Sequence, residues 1–313
     1  MRRRPCLRQA IAGLLSTAAL LCSSAAAVAE QARPPSAGSA PAAAVDRSAA
    51  QTATPHLRAV ALAPHIVELM FAAGAGDALV ARVDGSDFPP AAQSITSLGD
   101  GLRLSAESLL LLRPDVVLAW QAGPVRLIEP LLARHGVALV FSDPKRLDDI
   151  PEAIEHLGAR FGTATVAAAK AVALRDKIDA LSRQYADQSP VRVFVQLGTA
   201  PIYSLGAESI VNDALRVCGA VNVLGNSRLA APQVSIEGVI AAAPDAILTG
   251  TAEGQPDGPT QRFWSAHGWP GVGTPGGDRF IALPADALYR PTPRLIDATE
   301  TLCQRIDAIR HAL

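Results

Sequence analysis

The sequence predicts an α/β protein of two Rossmann-like lobes with mostly parallel sheets, joined by one long rigid helix. Apolar strand-like segments alternate with helical segments through most of the chain, which is typical of parallel sheets covered on both faces. A helical segment without glycine or proline interrupts this alternation at 163–187. A sequence motif containing Ser-x-Glu, Pro-Asp and Leu, here called the repeated phrase, occurs once on each side of that segment.

The connecting helix is predicted for residues 163–188. Apolar residues recur there at steps of three and four positions, which is the period of one helix face. These residues are Val166, Ala169, Ala173, Leu174, Ile178 and Leu181. Thr163 or Thr165 can cap its start, and Pro190 ends it. About 24 residues at about 1.5 Å each make a rod of about 36 Å, which is long enough to span a domain.

The repeated phrase runs from Ser105 to Leu118 and again from Ser235 to Leu248. Ser, Glu, Pro, Asp and the final Leu fall at identical spacing in both copies. Each copy is predicted as a capped short helix, a Pro-Asp turn and an apolar strand. The chain therefore predicts two lobes of similar topology, at 56–162 and 189–313. We expect each lobe to have its own core and to turn its strand-end loops towards a ligand cleft.

Short apolar runs and glycine or proline stops give the elements of each lobe. In the N-terminal lobe, strands are predicted at 58–64, 79–83, 116–120 and 137–141, and helices at 66–73, 105–112, 125–134 and 147–160. In the C-terminal lobe, strands are predicted at 192–197, 246–248 and 280–283, and helices at 209–217 and 293–311.

The N-terminus indicates export from the cytoplasm. Residues 1–29 fit a cleavable signal peptide, with an arginine-rich start, an apolar run and Ala27-Val28-Ala29 before the cleavage point. General secretion and twin-arginine export both stay open, and the bulky Leu21 disfavours lipidation at Cys22. Residues 30–55 are rich in Ala, Pro and Ser and are predicted to be a disordered tether. The formal net charge of −1 argues against nucleic acid as a partner.

Two cysteines remain once the signal peptide is removed, Cys218 and Cys303. In an oxidising compartment they have one intramolecular pairing, and a loop of that length would stabilise the fold by about 4 to 5 kcal/mol in the chain-entropy model. Two buried thiols are the alternative.

The sequence carries no recognisable catalytic pattern. It has no Gly-rich phosphate loop, no G-x-S-x-G and no H-E-x-x-H, so we predict that the protein is not an enzyme. An extracytoplasmic α/β hydrolase would need a nucleophile beside a base, and no such arrangement is visible. His65 follows a strand end, where it either contacts a ligand or satisfies a turn. No histidine spacing supports a metal site.

Aromatic residues make up only 4% of the chain, so their positions are informative. Phe88, Trp120, Tyr203 and Tyr289 lie at or just past predicted strand ends. Rigid rings in a cleft bury apolar ligand surface at low entropy cost, and core or rim packing is the alternative. Trp264 and Trp269 are interpreted as packing residues.

Charged residues suggest two further roles. Asp286 and Arg290 either hydrogen-bond a polar ligand edge or form an ion pair within their loop. Glu107 and Glu237 lie in the first turns of the two repeated helices, where the helix dipole favours carboxylates. Their equivalence predicts two acidic points, one on each lobe, that meet two basic points on a symmetric partner.

Short motifs between Arg58 and Asp307 carry a family resemblance. They are Leu62-Ala-Pro-His65, Phe71-Ala-Ala-Gly74, Ser86-Asp-Phe-Pro-Pro90, Arg113-Pro-Asp115, Leu118-Ala-Trp120, Gln184-Tyr-Ala-Asp187, Arg192-Val-Phe-Val-Gln196, Val217-Cys-Gly219, Pro232-Gln-Val-Ser235 and Pro293-Arg294. Together they resemble the periplasmic vitamin B12-binding proteins of bacterial ABC importers, within the helical-backbone (class III) solute-binding proteins.

The resemblance implies a periplasmic, monomeric carrier that grips a corrinoid, with cobalamin the expected one, and that changes little in hinge angle. It implies delivery to a membrane permease with its ATPase, docking through Glu107 and Glu237, and a disulfide between Cys218 and Cys303. Cobalamin would be the transported ligand, and no cofactor or metal is implied. A siderophore or haem carrier of the same fold is the alternative, which Arg290 and Arg294 favour.

The resemblance also implies a set of ligand-contacting positions. They are Trp120, Tyr203 and the loop of Asp286, Ala287, Leu288, Tyr289 and Arg290. The chain departs from the family pattern at Gly85, Gly101 and Ala231, where that pattern has aromatic residues. Gly85 is kept as a ligand-lining position, and Phe88 and Tyr289 are expected to compensate for the missing rings.

Overall fold

The computed structural model describes residues 57–101, 105–120, 125–254, 258–269 and 279–313. The predicted signal peptide, 1–29, and the predicted tether, 30–55, lie outside the described residues. The described residues belong to one compact unit, Ala53–Leu313.

The N-terminal lobe, residues 57–162, alternates strands and helices as predicted. Its elements are β1 (Ala59–Ala61), α1 (Pro64–Ala72), β2 (Leu79–Arg82), α2 (Ala106–Leu111), β3 (Val116–Ala119), α3 (Val125–Arg134), β4 (Ala138–Phe141) and α4 (Asp149–Phe161). The strands pair in parallel in the order β2-β1-β3-β4.

The connecting helix α5 (Ala164–Tyr185) is present and close to its predicted bounds. Its 22 residues span about 33 Å at about 1.5 Å each. Thr163 occupies the N-cap position but its side chain makes no capping hydrogen bond, and Thr165 lies inside the helix, so neither predicted cap forms. The buried face is also shifted in the first turns, and it consists of Ala167, Ala171, Leu174, Ile178, Leu181 and Tyr185.

A close helix contact explains the shifted face. A Cβ built on Gly158 of α4 would lie 2.2 Å from the Cβ of Ala167, so the two helices touch where both residues are small. This contact turns Ala167 inward and leaves Val166 55% exposed. For the same reason Ala169 and Ala173, which were predicted to lie on the buried face, are exposed.

The C-terminal lobe, residues 186–313, repeats the plan and adds elements to it. Its elements are β5 (Val191–Gln196), β6 (Ile202–Tyr203), α6 (Ile210–Val217), β7 (Ala220–Asn222), β8 (Gln233–Val234), α7 (Ile236–Ala241), β9 (Ala246–Thr251), α8 (Gly258–Ala266), β10 (Phe280–Pro284), α9 (Ala285–Tyr289) and α10 (Pro293–Arg310). The main sheet is parallel in the order β10-β9-β5-β7, and β6 pairs with β8 in an antiparallel ribbon. The sequence did not predict β6, β7, β8 or α8, and it treated α9 as loop.

The two helices of the repeated phrase have equivalent caps. The Ser105 hydroxyl accepts a hydrogen bond from the Ser108 amide at 3.2 Å at the start of α2. The Ser235 hydroxyl accepts one from the Gly238 amide at 3.1 Å at the start of α7. Both serines therefore satisfy an amide that the helix itself cannot pair.

The aspartates of the repeated phrase anchor the first strand of each lobe. Asp115 accepts a hydrogen bond from the Arg58 amide at 2.7 Å, and Asp245 accepts one from the Arg192 amide at 2.8 Å. Each arginine side chain then donates to carbonyls at the end of the repeated helix, including Leu112 on one side. The repeat thus encodes one scaffold joint that the fold uses twice.

The main core is shared by both lobes, which corrects the prediction of a separate core for each. One continuous buried cluster joins Leu69 of α1 and Ile154 of α4 to Leu174 of α5, Leu215 of α6 and Leu302 of α10. Smaller clusters cover the far face of each sheet. Because apolar contacts run continuously past α5, the lobes pack against the helix and each other as one body.

The disulfide between Cys218 and Cys303 is present, as predicted. It joins the residue that ends α6 to the middle of α10, across a sequence separation of 85. The last helix is therefore bonded to the centre of the C-terminal lobe.

Candidate functional site

A cavity of about 490 Å³ lies between the two lobes, next to the carboxyl ends of β3, β4 and β5. The N-terminal lobe lines it with Trp120, Asp143, Pro144 and Lys145, and the C-terminal lobe with Leu197, Leu205, Glu208, Ser209, Ile210, Val211, Ala230, Tyr289 and Pro291. Ligands of parallel sheets collect at this edge, and the volume is in the usual range for small-ligand pockets. We take it as the candidate ligand site.

Trp120 forms an aromatic wall on the N-terminal side of the cavity. It follows β3 directly, and 47% of it is exposed. Its indole N–H donates to Asp143 Oδ1 at 2.8 Å, and Asp143 also pairs with Lys145 at 2.8 Å. These contacts orient the ring while its face stays free for a ligand.

His65 supports this wall from behind. It is 4% exposed, and its ring meets Trp120 edge-on with centroids 5.8 Å apart. Its Nε2 is hydrogen-bonded to the Ser142 carbonyl at 3.1 Å. Burial lowers the pKa of His65, with a smaller opposing effect of that hydrogen bond. His65 therefore packs as a neutral ring that fixes Trp120.

Tyr289 forms the facing wall from the C-terminal lobe. Its hydroxyl accepts a hydrogen bond from the Gly250 amide at 2.8 Å. A Cβ on Gly250 would lie only 2.3 Å from Tyr289 Cε2, so glycine is what lets the ring lie against β9. Burial raises the pKa of Tyr289 to about 12, and the phenol stays protonated.

Asp286 and Arg290 form the ion pair that was one of two expectations for them. The Arg290 guanidinium lies 2.6 Å from Asp286, 3.3 Å from Glu68 and 3.6 Å from Asp87. The Asp286 side chain remains 48% exposed, whereas that of Arg290 is 18% exposed. Asp286 is thus accessible to a polar ligand edge, and most of Arg290 is occupied by protein carboxylates.

The middle of the predicted ligand loop points elsewhere. Leu288 is 0% exposed and belongs to the shared core, which corrects the expectation that its side chain contacts a ligand. Ala287 packs against the same core while partly exposed. The reason is that 285–289 is a helix, so its side chains alternate between core and cleft instead of all facing one way.

Three other predicted positions lie near the strand ends but outside the lining of this cavity, as far as the described residues extend. Phe88 is 41% exposed, and the guanidinium of Arg294 lies 4.3 Å from its ring centroid. Tyr203 is half-buried and pairs with Gln233 in the β6-β8 ribbon. Gly85 is exposed at a φ of 74°, a left-handed conformation that favours glycine over the aromatic residue of the family pattern.

Gly101 and Ala231 are the other two positions at which the family pattern has an aromatic residue. Gly101 also has a φ of 74°, and a Cβ there would lie 2.9 Å from Val83. Ala231 is exposed, and its neighbour Ala230 lines the cavity.

Glu107 and Glu237 are both exposed, in the first turns of α2 and α7. Hydrogen bonds from its own backbone amide and from the Ser235 hydroxyl lower the pKa of Glu237. Both carboxylates are therefore accessible to a partner.

Some site types are not found in the described parts of the chain. Those parts hold no cluster of three or more histidine, cysteine or acidic side chains suited to a metal ion. They also hold no helix that is both long and apolar enough to cross a membrane.

Residues 60–286 match the periplasmic binding protein family. This chain belongs to that family. It is accordingly a solute-binding protein rather than an enzyme, as the sequence predicted.

The resemblance to vitamin B12-binding proteins is confirmed by two relatives. The chain is 36% identical over 250 residues to the vitamin B12-binding protein of Vibrio cholerae, covering 80% of this chain and 88% of that one. It is 32% identical over 252 residues to the vitamin B12-binding protein of Photorhabdus laumondii, with coverage of 80% and 88%.

Solved structures give the same fold. The periplasmic vitamin B12 binding protein BtuF of Vibrio cholerae matches with a TM-score of 0.69 and 34% identity, over 82% of this chain and 98% of that one. The periplasmic heme-binding protein RhuT from Roseiflexus matches with a TM-score of 0.64 and 26% identity, over 81% and 99%. The class III architecture predicted from the sequence is confirmed.

Sequence reasoning missed several lining residues, Asp143 above all. Asp143 lies two residues after the end of a predicted strand, in Ser-Asp-Pro, and that position was the available signal. Leu197 and Pro291 also adjoin predicted strand or helix ends. Glu68 was missed because it lies inside a predicted helix, where nothing in the local pattern distinguishes it.

Proposed function

We propose that this protein captures a corrinoid, cobalamin, between its lobes and delivers it to the permease of an ABC importer. The observation that carries the proposal is the Trp120 ring, which stands half-exposed at strand ends opposite Tyr289 in a cavity shared by both lobes. Flat apolar rings suit the broad face of a macrocycle. The names of its relatives, at 36% and 32% identity, support the same ligand.

Cobalamin is larger than a cavity of about 490 Å³, so part of the ligand would extend beyond it. Phe88, in the loop after β2, and Asp286, in the first turn of α9, stay accessible and would supply further apolar and polar contacts. Gly85 would leave room there because it has no side chain. Tyr203 would contact only the outer part of the ligand.

The haem or siderophore alternative has less support. Haem iron is held by an axial side chain, which is His, Cys, Met or Tyr. His65 Nε2 is engaged by Ser142, and Tyr289 has a pKa of about 12 and accepts from Gly250. In the sequence, Arg290 and Arg294 favoured a siderophore or haem carrier, but both are paired with Glu68.

The ligand is tested by mixing mature protein with cyanocobalamin, removing free ligand on a desalting column and recording the visible spectrum. Haemin and a ferric siderophore are run in parallel. We expect the corrinoid spectrum to remain with the protein at about one equivalent. Retention of haemin or siderophore without cobalamin would overturn the proposal.

Replacing Trp120 by Ala should weaken cobalamin binding at least tenfold, about 1.4 kcal/mol or more, because it removes a ring at the centre of the site. The melting temperature should barely change, since Trp120 is 47% exposed. Tyr203→Ala is the matched variant and should have a smaller effect on affinity. An equal effect of both would show that the ligand does not centre on this cavity.

We further propose that the protein works as a periplasmic monomer and docks on the permease through Glu107 and Glu237. The support is their exposure and their equivalent places on α2 and α7. Two like acidic points fit a partner with two like basic points, as in a two-fold symmetric permease.

Reversing both charges, Glu107→Arg with Glu237→Arg, should abolish cobalamin uptake by cells while binding by the purified protein is unchanged. Glu152→Arg is the control, because Glu152 lies on α4 with its side chain 61% exposed. Uptake that survives the double reversal would contradict docking through these residues. Loss of both uptake and binding would indicate misfolding.

A further inference from the structure

A cluster of charged side chains with a buried centre connects the two lobes beside the ligand cavity. Its centre is Glu68 of α1, which is 3% exposed. Glu68 Oε2 accepts from Arg294 Nε at 2.8 Å, and Oε1 accepts from a second Arg294 N–H and from Arg290 at 3.3 Å. We call Glu68, Asp87, Asp286, Arg290 and Arg294 the inter-lobe ion-pair cluster.

The charges of this cluster are divided between the lobes. Both guanidiniums come from the C-terminal lobe, Arg290 after α9 and Arg294 in the first turn of α10. Their partner Glu68 belongs to the N-terminal lobe. Phe88 of the N-terminal lobe covers Arg294 at 4.3 Å, and Asp87 lies 3.6 Å from Arg290. Each arginine therefore binds across the gap.

Because Glu68 is buried, breaking its contacts with the two arginines would leave a charge without water or a partner. A carboxylate whose side chain is 2% exposed has lost its water and depends on its two guanidinium partners. The Glu155 and Arg175 pair between α4 and α5 is a useful contrast. Its side chains are 35% and 39% exposed, so water screens the attraction between the two charges. Water also solvates the remaining charge if one partner is removed.

The cluster also sets one wall of the cavity. Tyr289 and Pro291 line the cavity, and the residue between them, Arg290, turns away to Glu68. Moving the Arg290 guanidinium would therefore shift both lining residues relative to Trp120 on the other lobe.

We propose that Glu68 is a positioning residue that holds Arg290 and Arg294 across the gap and so fixes the width of the ligand cleft. The inference rests on the proposed function only in taking the cavity as the ligand site. Glu68 itself does not line that cavity, within the described residues. It acts through the segment 289–291.

The test measures the distance between the lobes directly. Spin labels are placed at Leu111→Cys in the N-terminal lobe and Val221→Cys in the C-terminal lobe, which are 82% and 47% exposed. Pulsed electron paramagnetic resonance then gives the distance distribution without ligand. We expect one narrow distribution in the parent protein and a broader or longer one with Glu68→Gln.

Two variants keep the test decisive. Glu155→Gln is the matched control, because it removes one carboxylate of an exposed pair, and it should leave the distribution unchanged. Arg294→Lys keeps the charge but loses the two-donor contact, and it replaces Glu68→Gln if that variant does not fold. It should broaden the distribution in the same direction.

Cobalamin affinity is the second measurement, and Glu68→Gln should lower it about tenfold. A narrow, unshifted distribution in both Glu68→Gln and Arg294→Lys would overturn the proposal, even if the melting temperature falls. Such a result would make the cluster a stabilising contact only. Because the distances are recorded without ligand, a failure of cobalamin binding would count against the proposed function and not against the cluster.

Discussion

The two lobes share one scaffold but differ in what they build on it. Both have the same parallel sheet order, and in both an aspartate of the repeated phrase holds the first strand, Asp115 in one and Asp245 in the other. Arg113 and Ala243, the residues before the two repeated prolines, even share positive φ values of 47° and 44°. The repeated serines and aspartates are thus explained by the scaffold.

The difference begins six residues after each repeated proline. In the N-terminal lobe that position is Trp120, whose own ring forms the wall of the cavity. In the C-terminal lobe it is Gly250, whose missing side chain lets the ring of Tyr289 lie there instead. Equivalent strand ends therefore place an aromatic ring on each side of the cleft by opposite means.

The last strand of each sheet shows a second difference. Phe141 in β4 is 37% exposed, whereas Phe280 in β10 is 5% exposed. The C-terminal lobe adds α10 against β10 and bonds that helix to α6 through Cys218 and Cys303. Phe280 itself packs on the other face of the sheet, where Trp264 of α8 and Trp269 belong to the same buried cluster and account for its greater burial.

Removing the disulfide should have the largest effect on stability. Cys218→Ala with Cys303→Ala should lower the free energy of unfolding by about 4 to 5 kcal/mol, because the unfolded chain regains the entropy of a long loop. Urea unfolding measures this, with reduced parent protein as the control. Hydrogen exchange should quicken more in β9 than in β3, and a loss below about 1 kcal/mol would contradict the role given to α10.

Adding one methyl group at Gly250 should have the second largest effect on stability. Gly250→Ala puts a Cβ into the Tyr289 ring and should cost about 1 to 3 kcal/mol and weaken cobalamin binding. Gly238→Ala is the matched control, because the nearest atom to its Cβ is 3.5 Å away and it lies in α7. That control should be neutral or stabilising. Normal binding by Gly250→Ala would separate Tyr289 from the site.

Removing each anchoring aspartate tests the equivalence of the scaffolds. Asp115→Ala and Asp245→Ala should each cost about 1 to 3 kcal/mol, because each leaves a strand-end amide without its charged acceptor. The two values should agree closely and add in the double variant, since the two hydrogen bonds share no residue. Thermal unfolding is the measurement. A marked difference would show that only one lobe depends on the joint.

The smallest expected effect is that of pH on the free energy of unfolding. It involves His65, which packs behind Trp120 in the N-terminal lobe. The pKa of His65 is lower in the folded state than in the unfolded state, so the unfolded state binds more protons below about pH 6.5. Stability should therefore fall as pH drops below about 6.5, by less than about 1.4 kcal/mol per pH unit. His65→Gln should flatten this slope, and an unchanged slope would assign it to other groups. Tyr289, with a pKa of about 12, contributes nothing there.

The sequence by itself determined the parts of this protein that depend on near neighbours. The bounds of most helices and strands, the repeated phrase and the place of Trp120 at a strand end follow from local patterns. So does the pairing of Cys218 with Cys303, since the expected mature chain holds no other cysteine. The cysteine pairing follows from counting cysteines, and the other features arise from residue spacing that is visible along the chain.

Only the tertiary structure decided how the lobes meet. The contact of Glu68 with Arg294 joins residues 226 positions apart, and the shared core exists because α1, α4, α5 and α10 pack together. The same packing turned Leu288 inward, set the buried face of α5 and occupied Arg290. Burial and pairing of this kind depend on which surfaces come together in space, and no spacing along the chain records that.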